Sequence, residues 1–192
     1  MIYKNRDFLE KDIQGKDFEN GKFLRCKFKN MSFRFCNFTN CKFINCDFTG
    51  SLFEITGFNG CSFAGSNLSN LDFGDTDIKA CDFTESILVN CIFQKIKGIK
   101  VGDRKKLGLK DCKFEKSKLK NALFILCDLL GVSFDGSNIE EGVFERCNLK
   151  EADFSNAKIS GTGFEDCTLN NTILDIEGFI AFGNSKGFVL GK

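Results

Sequence analysis

The sequence predicts a solenoid, a single elongated domain of short stacked coils, and three observations predict it. First, every fifth residue from Tyr3 to Phe93 is Phe, Leu, Ile or Tyr, and the same beat resumes from Leu109 to Leu174, one residue out of phase. A period of five fits neither the 3.6 of an α-helix nor the 2 of an ordinary strand. A short fixed period marks a chain whose coils bury little alone and stack into a continuous core. Second, Phe occurs 24 times while Trp is absent and Tyr occurs once, as expected where one flat hydrophobe recurs at a fixed position. Third, Pro is absent, so no Pro-rich linker divides the 192 residues into separate domains.

The eleven cysteines fit the same grammar. Each lies two residues before a central hydrophobe, as Cys26 does before Phe28, Cys46 before Phe48 and Cys167 before Leu169. Elsewhere that slot holds Ser51, Ser66, Thr76, Ser86, Ser117, Ala122, Ser137, Ala152 or Ala157, so it demands a small side chain. Free Cys serves there as a small buried hydrophobe. The odd count and the absence of any Cys-x-x-Cys argue against a disulfide framework and a zinc site. His is absent, which removes His-based acid–base chemistry, His-containing metal sites and Cys–His nucleophiles.

The segment Cys41-Lys42-Phe43-Ile44-Asn45-Cys46-Asp47-Phe48-Thr49-Gly50 shows the unit: small, polar, large, then two variable residues. Near-consensus copies are Ser66-Asn67-Leu68-Ser69-Asn70, Cys81-Asp82-Phe83-Thr84-Glu85 and Ala152-Asp153-Phe154-Ser155-Asn156. The chain here resembles the pentapeptide-repeat family, whose motif reads A(D/N)Lxx. The resemblance implies an all-β fold, a right-handed quadrilateral parallel β-helix with one pentapeptide per side and about eight coils. Residues twenty apart then stack, which places Cys41, Cys61 and Cys81 on one ladder and Cys127, Cys147 and Cys167 on another.

Along the chain, Met1, Arg6, Lys11 and Lys16 occupy the small slots of the first four repeats and are too long or charged for them. The first coil is therefore expected to turn them outward as a polar lid, since open solenoid ends need caps. Residues 1–93 form the first repeat stretch and 109–174 the second. Between them, 94–108 carries three glycines and six basic residues, Lys95, Lys97, Lys100, Arg104, Lys105 and Lys106, and is expected to be an extruded loop. Residues 175–192 read as a small C-terminal cap. Ile176, Phe179 and Ile180 recur at helical spacing, Gly183–Gly187 reads as a turn and Phe188-Val189-Leu190 as a short apolar strand. A homodimer is expected through this end, using Ile176, Phe179, Ile180, Phe182, Phe188 and Leu190. C-terminal pairing is also what the resemblance implies.

Charge is sorted along the chain although its formal net value is +1. Residues 1–50 carry a net +4, 51–93 a net −5, 94–110 a net +6 and 121–177 a net −8. An acidic partner-binding face is expected from Glu140, Glu141, Glu145, Glu151, Asp153, Glu165 and Asp166, with the basic loop as a second contact. Ordered carboxylates on a rod imitate duplex phosphate and attract a basic DNA-binding saddle. Some pentapeptide-repeat proteins of this size protect type II topoisomerases from quinolones. The resemblance thus implies a non-enzymatic DNA mimic that binds DNA gyrase or topoisomerase IV. The alternative is a protein-interaction scaffold or immunity factor without that contact. No catalytic residue, metal site or cofactor is expected, because a filled β-helix lacks a deep pocket and no phosphate-cradling motif occurs. Direct nucleic-acid binding is not expected, since no aromatic residues interleave the lysines. No apolar run approaches membrane-spanning length and Met1-Ile2-Tyr3-Lys4-Asn5 shows no signal region, so a cytoplasmic location is expected.

Overall fold

The computed structural model describes residues 1–95 and 106–191. Short parallel strands stack in register twenty residues apart: Tyr3 on Phe23, Phe23 on Phe43, Phe18 on Phe38 and Phe33 on Phe53. With one large hydrophobe every five residues, that register gives four sides to a coil. They are numbered here by chain order as face 1 (Tyr3, Phe23, Phe43), face 2 (Phe8, Phe28, Phe48), face 3 (Ile13, Phe33, Phe53) and face 4 (Phe18, Phe38, Phe58). The sequence-predicted parallel β-solenoid is the observed fold.

The axis of the rod is solid. The central hydrophobes from Phe23 to Phe93 and from Leu109 to Phe164 are buried, and only those at the two ends, Tyr3, Phe18, Leu169 and Leu174, are partly covered. On face 1 the rings of Phe23, Phe43, Phe63 and Phe83 stack at 4.7, 5.1 and 5.1 Å, while rings of neighbouring faces meet edge-on, as Phe43 does with Phe48 at 5.3 Å. Aromatic quadrupoles favour both arrangements when the stack is offset. This explains why Phe fills the slot along the buried axis and the one Tyr, Tyr3, is at the open end, where its hydroxyl reaches Met1 Sδ: a Tyr hydroxyl deeper in the rod has no partner on the axis.

The stack crosses the interruption intact. Phe83 lies 5.1 Å from Phe114 and Phe93 lies 4.7 Å from Phe124, and Asp82 pairs with Lys113. Partners there are thirty-one residues apart instead of twenty, so eleven residues are inserted at the corner after face 3. The insertion ends earlier than 108. Leu107–Gly108 is a strand paired with Cys127–Asp128, and Leu107 is buried in a small slot. Leu107 is the slot residue of the repeat centred on Leu109, as Leu71 is of the repeat centred on Phe73, so the rod resumes two residues before that hydrophobe.

The corner residues, two places after the central hydrophobe, are left-handed at most turns, from Asn5 at φ 48° to Asn171 at φ 56°. Asn and Gly dominate these corners because they enter that region at the least steric cost. The two positions treated as variable in the sequence are therefore not equivalent.

Both ends are closed by polar devices. A four-residue helix α1 (Glu10–Ile13) replaces a strand on face 3, buries Ile13, and puts Lys11 outward. The Glu10 carboxylate accepts from the Ser32 N–H at 2.9 Å, a donor that in the next coil meets the preceding strand (Leu52 N to Met31 O). Lys16 Nζ donates to the carbonyls of Lys11 and Asp12, and the Arg6 guanidinium lies 4.6 Å over the Phe8 ring. Met1, Arg6, Lys11 and Lys16 are all exposed, as the polar-lid reading requires.

At the other end α2 (Ile176–Ser185) is capped by Asp175, whose Oδ1 accepts from Gly178 N at 2.7 Å. Phe182 packs edge-on against Phe164 at 5.5 Å, and Lys186 Nζ donates to the open Phe164 carbonyl at 3.1 Å. The segment 183–187 is not a separate turn. The helix continues to Ser185 and stops at Gly187 (φ 84°), with Phe188 N bonded to Gly183 O and Gly187 N to Asn184 O. That double closure is the left-handed C-cap that glycine favours. Phe188-Val189-Leu190, expected as a strand, lies outside any strand. No neighbouring edge on the described chain offers it a ladder.

Candidate interaction surface

With the axis filled, function must lie on the outer surface or at the ends. The inward slots first exclude one alternative. All eleven cysteines are free; ten are buried, and Cys167 is partly covered at the rod end. Most of their Sγ atoms donate to the carbonyl of a central hydrophobe one coil back: Cys46 to Phe23 O at 3.3 Å, Cys61 to Phe38 O at 3.3 Å, Cys147 to Phe124 O at 3.2 Å. Ser66 and Thr162 make the same bond to Phe43 O and Ile139 O. A Cys, Ser or Thr in the slot can also donate to a buried carbonyl, which the size argument alone missed, while Ala122, Ala152 and Ala157 fill it by size only. Burial pushes the thiols of Cys46, Cys91 and Cys112 up to about 12, and a hydrogen bond that Cys41 donates to Cys61, together with burial, raises Cys41 further. These thiols remain protonated and unreactive at neutral pH. Among the described residues no group of His, Cys, Asp or Glu is arranged to hold a metal ion.

The seven acidic residues do not share one face. Glu140 lies on face 2, Glu141 at the corner after it, Glu145 and Glu165 on face 3, and Asp166 at the next corner. These five gather on adjoining sides of the last coils. Glu151 and Asp153 sit around the opposite corner, between faces 4 and 1. Glu145 stacks in register on Glu165. Arg146 Nε lies 3.7 Å from both Glu145 and Asp166, and Lys186 Nζ 3.2 Å from Glu165, so three of the five carboxylates are bridged and the cluster keeps a net negative charge.

Of the loop residues, Lys95 and Lys106 are described, while Lys97, Lys100, Arg104 and Lys105 lie outside the described residues. Lys95 is at the corner after face 3, beside a hollow of about 330 Å³ floored by Gly57 and Gly74.

The tail residues divide in two. Phe182 faces the core and serves the cap. Ile176 (80% exposed), Phe179 (65%), Ile180, Phe188, Val189 and Leu190 stay outside it. Phe179, Ile180, Phe188, Val189 and Leu190 line one hollow of about 260 Å³ with Gly183 and Asn184. No described helix is long and apolar enough to cross a membrane.

Comparison with known families matches this geometry. A family model described as pentapeptide repeat region covers residues 105–175, and one described as pentapeptide repeats (8 copies) covers 17–54 and 58–94. The chain belongs to the pentapeptide-repeat family. Together the two matches span both repeat stretches apart from residues 55–57, and leave the insertion, the first coil and the tail outside. Among solved structures, the chain is similar to a trypsin-treated form of QnrB1, described as a plasmid-mediated fluoroquinolone resistance protein. The identity is 18%, covering 100% of this chain and 99% of that one, with a TM-score of 0.47. HetL, involved in heterocyst differentiation regulation in the cyanobacterium Nostoc, is 14% identical over 91% and 87% of the two chains, with a TM-score of 0.38. A pentapeptide repeat protein of the Arabidopsis thaliana thylakoid lumen is 21% identical over 72% and 71%, with a TM-score of 0.20. No curated protein matches the sequence.

Proposed function

We propose that this pentapeptide-repeat protein is a non-catalytic interaction rod whose acidic C-terminal coils act as a DNA mimic toward a type II topoisomerase. The observation that carries this reading is the placement of carboxylates on every side of the last coils, five of them gathered on faces 2 and 3. A duplex likewise presents negative charge around its circumference, and a basic DNA-binding groove is drawn to either. The proposal includes a homodimer through the exposed apolar tail, with Ile176, Phe179, Ile180, Phe188 and Leu190 meeting their counterparts across a two-fold axis. Pairing there brings two segments of net −8 together in the middle of a longer rod. A reducing cytoplasm suits eleven free thiols.

The second reading is a general protein-interaction scaffold without topoisomerase contact. It is favoured by the near-neutral whole chain and the cationic first coils, neither of which a duplex imitates.

The test is a DNA gyrase supercoiling assay with and without ciprofloxacin, titrating the wild type and the Glu140→Gln/Glu141→Gln/Glu145→Gln variant. A form lacking 96–106 restores the twenty-residue coil and probes the loop. Protection or inhibition at micromolar levels that the neutralised variant loses supports the mimic. No effect from a folded wild type at any concentration rejects it in favour of the scaffold. Light scattering on Phe179→Ser/Phe188→Ser is expected to show monomer where the wild type is a dimer.

A further inference from the structure

Face 1 of the first four coils differs from the rest of the rod. From Ile2 to Gly65 its outward positions carry four cations, Lys4, Lys22, Arg25 and Lys42, and no carboxylate. Lys22 and Lys42 stack directly on one another in register, a like-charge ladder that costs stability. None of the four has an ion-pair partner among the described residues. Neighbouring faces behave differently: Lys27 pairs with Asp7, Lys29 with Asp47 and Arg34 with Glu54, each contact linking adjacent coils. Between the cations runs an apolar strip, with Leu24 in register on Ile44 and Ala64 one coil further. Leu24 and Ile44 are half-buried, and with Lys4, Asn5, Arg25 and Asn45 they line a hollow of about 260 Å³.

We propose that this surface is the docking site of a partner protein's acidic amphipathic helix, lying parallel to the rod axis. Coils repeat at about 4.8 Å, close to the 5.4 Å pitch of an α-helix. One apolar residue per helical turn therefore meets one rung of the Leu24–Ile44–Ala64 strip. Carboxylates on the two flanks of that helix reach Lys22 and Lys42 on one side and Arg25 on the other, while Lys4, in register with Leu24, meets the helix at the end of the strip. An extended strand advancing about 3.3 Å per residue loses this register within a few rungs. Nucleic acid fits less well: the strip is aliphatic, has no aromatic platform for bases, and occupies the centre of the surface where a backbone would run. The site is independent of the topoisomerase reading, lying at the opposite end of the rod from the five gathered carboxylates.

The experiment uses the full chain and a fluorescein-labelled helical peptide of about 18 residues, Leu on one face and Glu on both flanks, followed by fluorescence anisotropy. Saturable binding that weakens with salt is expected, and Lys22→Glu/Lys42→Glu should reduce affinity about tenfold or more. Lys118→Glu/Lys120→Glu, the same charge change on face 2 of a later coil, should alter it by less than about threefold. Leu24→Asn should weaken binding at unchanged charge, with a thermal melt confirming the fold. No binding to the wild type overturns the proposal, as does equal loss in both charge-reversal pairs. Tighter binding of a DNA oligonucleotide through Lys22 and Lys42 overturns it in favour of a nucleic-acid site.

Discussion

Replacing Phe43 by Ala removes a mid-rod ring that is surrounded by other rings above, below and on both sides. Phe43 is fully buried; it stacks on Phe23 and Phe63 at 4.7 and 5.1 Å and meets Phe28, Phe38, Phe48 and Phe58 edge-on at 5.3 to 6.5 Å. Truncating a buried Phe to Ala costs about 3–5 kcal/mol, lost transfer energy plus the cavity left behind. Six ring contacts, each contributing about 0.5–1.5 kcal/mol beyond area, place this site at the upper end, near 5 kcal/mol. Collapse cannot relieve the cavity, because the backbone on either side is held by ladders to the coils above and below. For a chain of this length the melting temperature should fall by roughly 10–20 °C. Phe18→Ala is the control: Phe18 is partly exposed at the rod end and has two ring partners, Phe23 and Phe38, so about 2 kcal/mol is expected. Urea unfolding followed by circular dichroism measures both. A loss below about 1 kcal/mol for Phe43→Ala, or equal losses at the two sites, refutes the account of a rod closed around a continuous ring stack.

The remaining predictions concern slots, corners and thiols. Ser66 donates to Phe43 O at 2.8 Å and accepts from Cys46 N at 2.9 Å, so Ser66→Ala should cost about 1–3 kcal/mol. Ser137 occupies an equivalent slot with its buried hydroxyl unpartnered, so Ser137→Ala should be neutral or stabilising by the same denaturation assay. Ile55, 60% exposed, is β-branched and held at φ 49°, so Ile55→Asn should raise stability by about 1 kcal/mol; a loss means the side chain has packing not apparent at this corner. Folded Cys46, Cys91 and Cys112 titrate near 12 against an ordinary value of 9, so the unfolded chain releases its protons first as pH rises. Their contribution is complete below pH 9 and is lost between 9 and 12. At pH 10 each thiol should favour unfolding by about 1.4 kcal/mol, seen as a falling melting temperature that Cys91→Ser reduces.

The five-residue beat alone determined the stacked coils, the buried Phe column and the small-slot role of the cysteines. Each follows from local volume at one position and is written in every repeat. The polar lid at Arg6, Lys11 and Lys16 was legible for the same reason, as a violation of a regular pattern. Other features were not legible, because they depend on what lies one coil away. The bond from Ser66 to Phe43 O and the unpaired ladder of Lys22 on Lys42 join residues twenty or more apart. Sorting the charges by chain segment joined Glu140 and Glu165 with Glu151, although five carboxylates share adjoining sides and two turn away. Leu107 reads as loop because it directly follows the basic run outside the beat, and its pairing with Cys127 returns it to the rod. A repeat fixes which residues point inward, since that is a property of each unit. Which outward residues become neighbours is set by how the coils close and stack, and so the surface that meets a partner was decided by the tertiary structure.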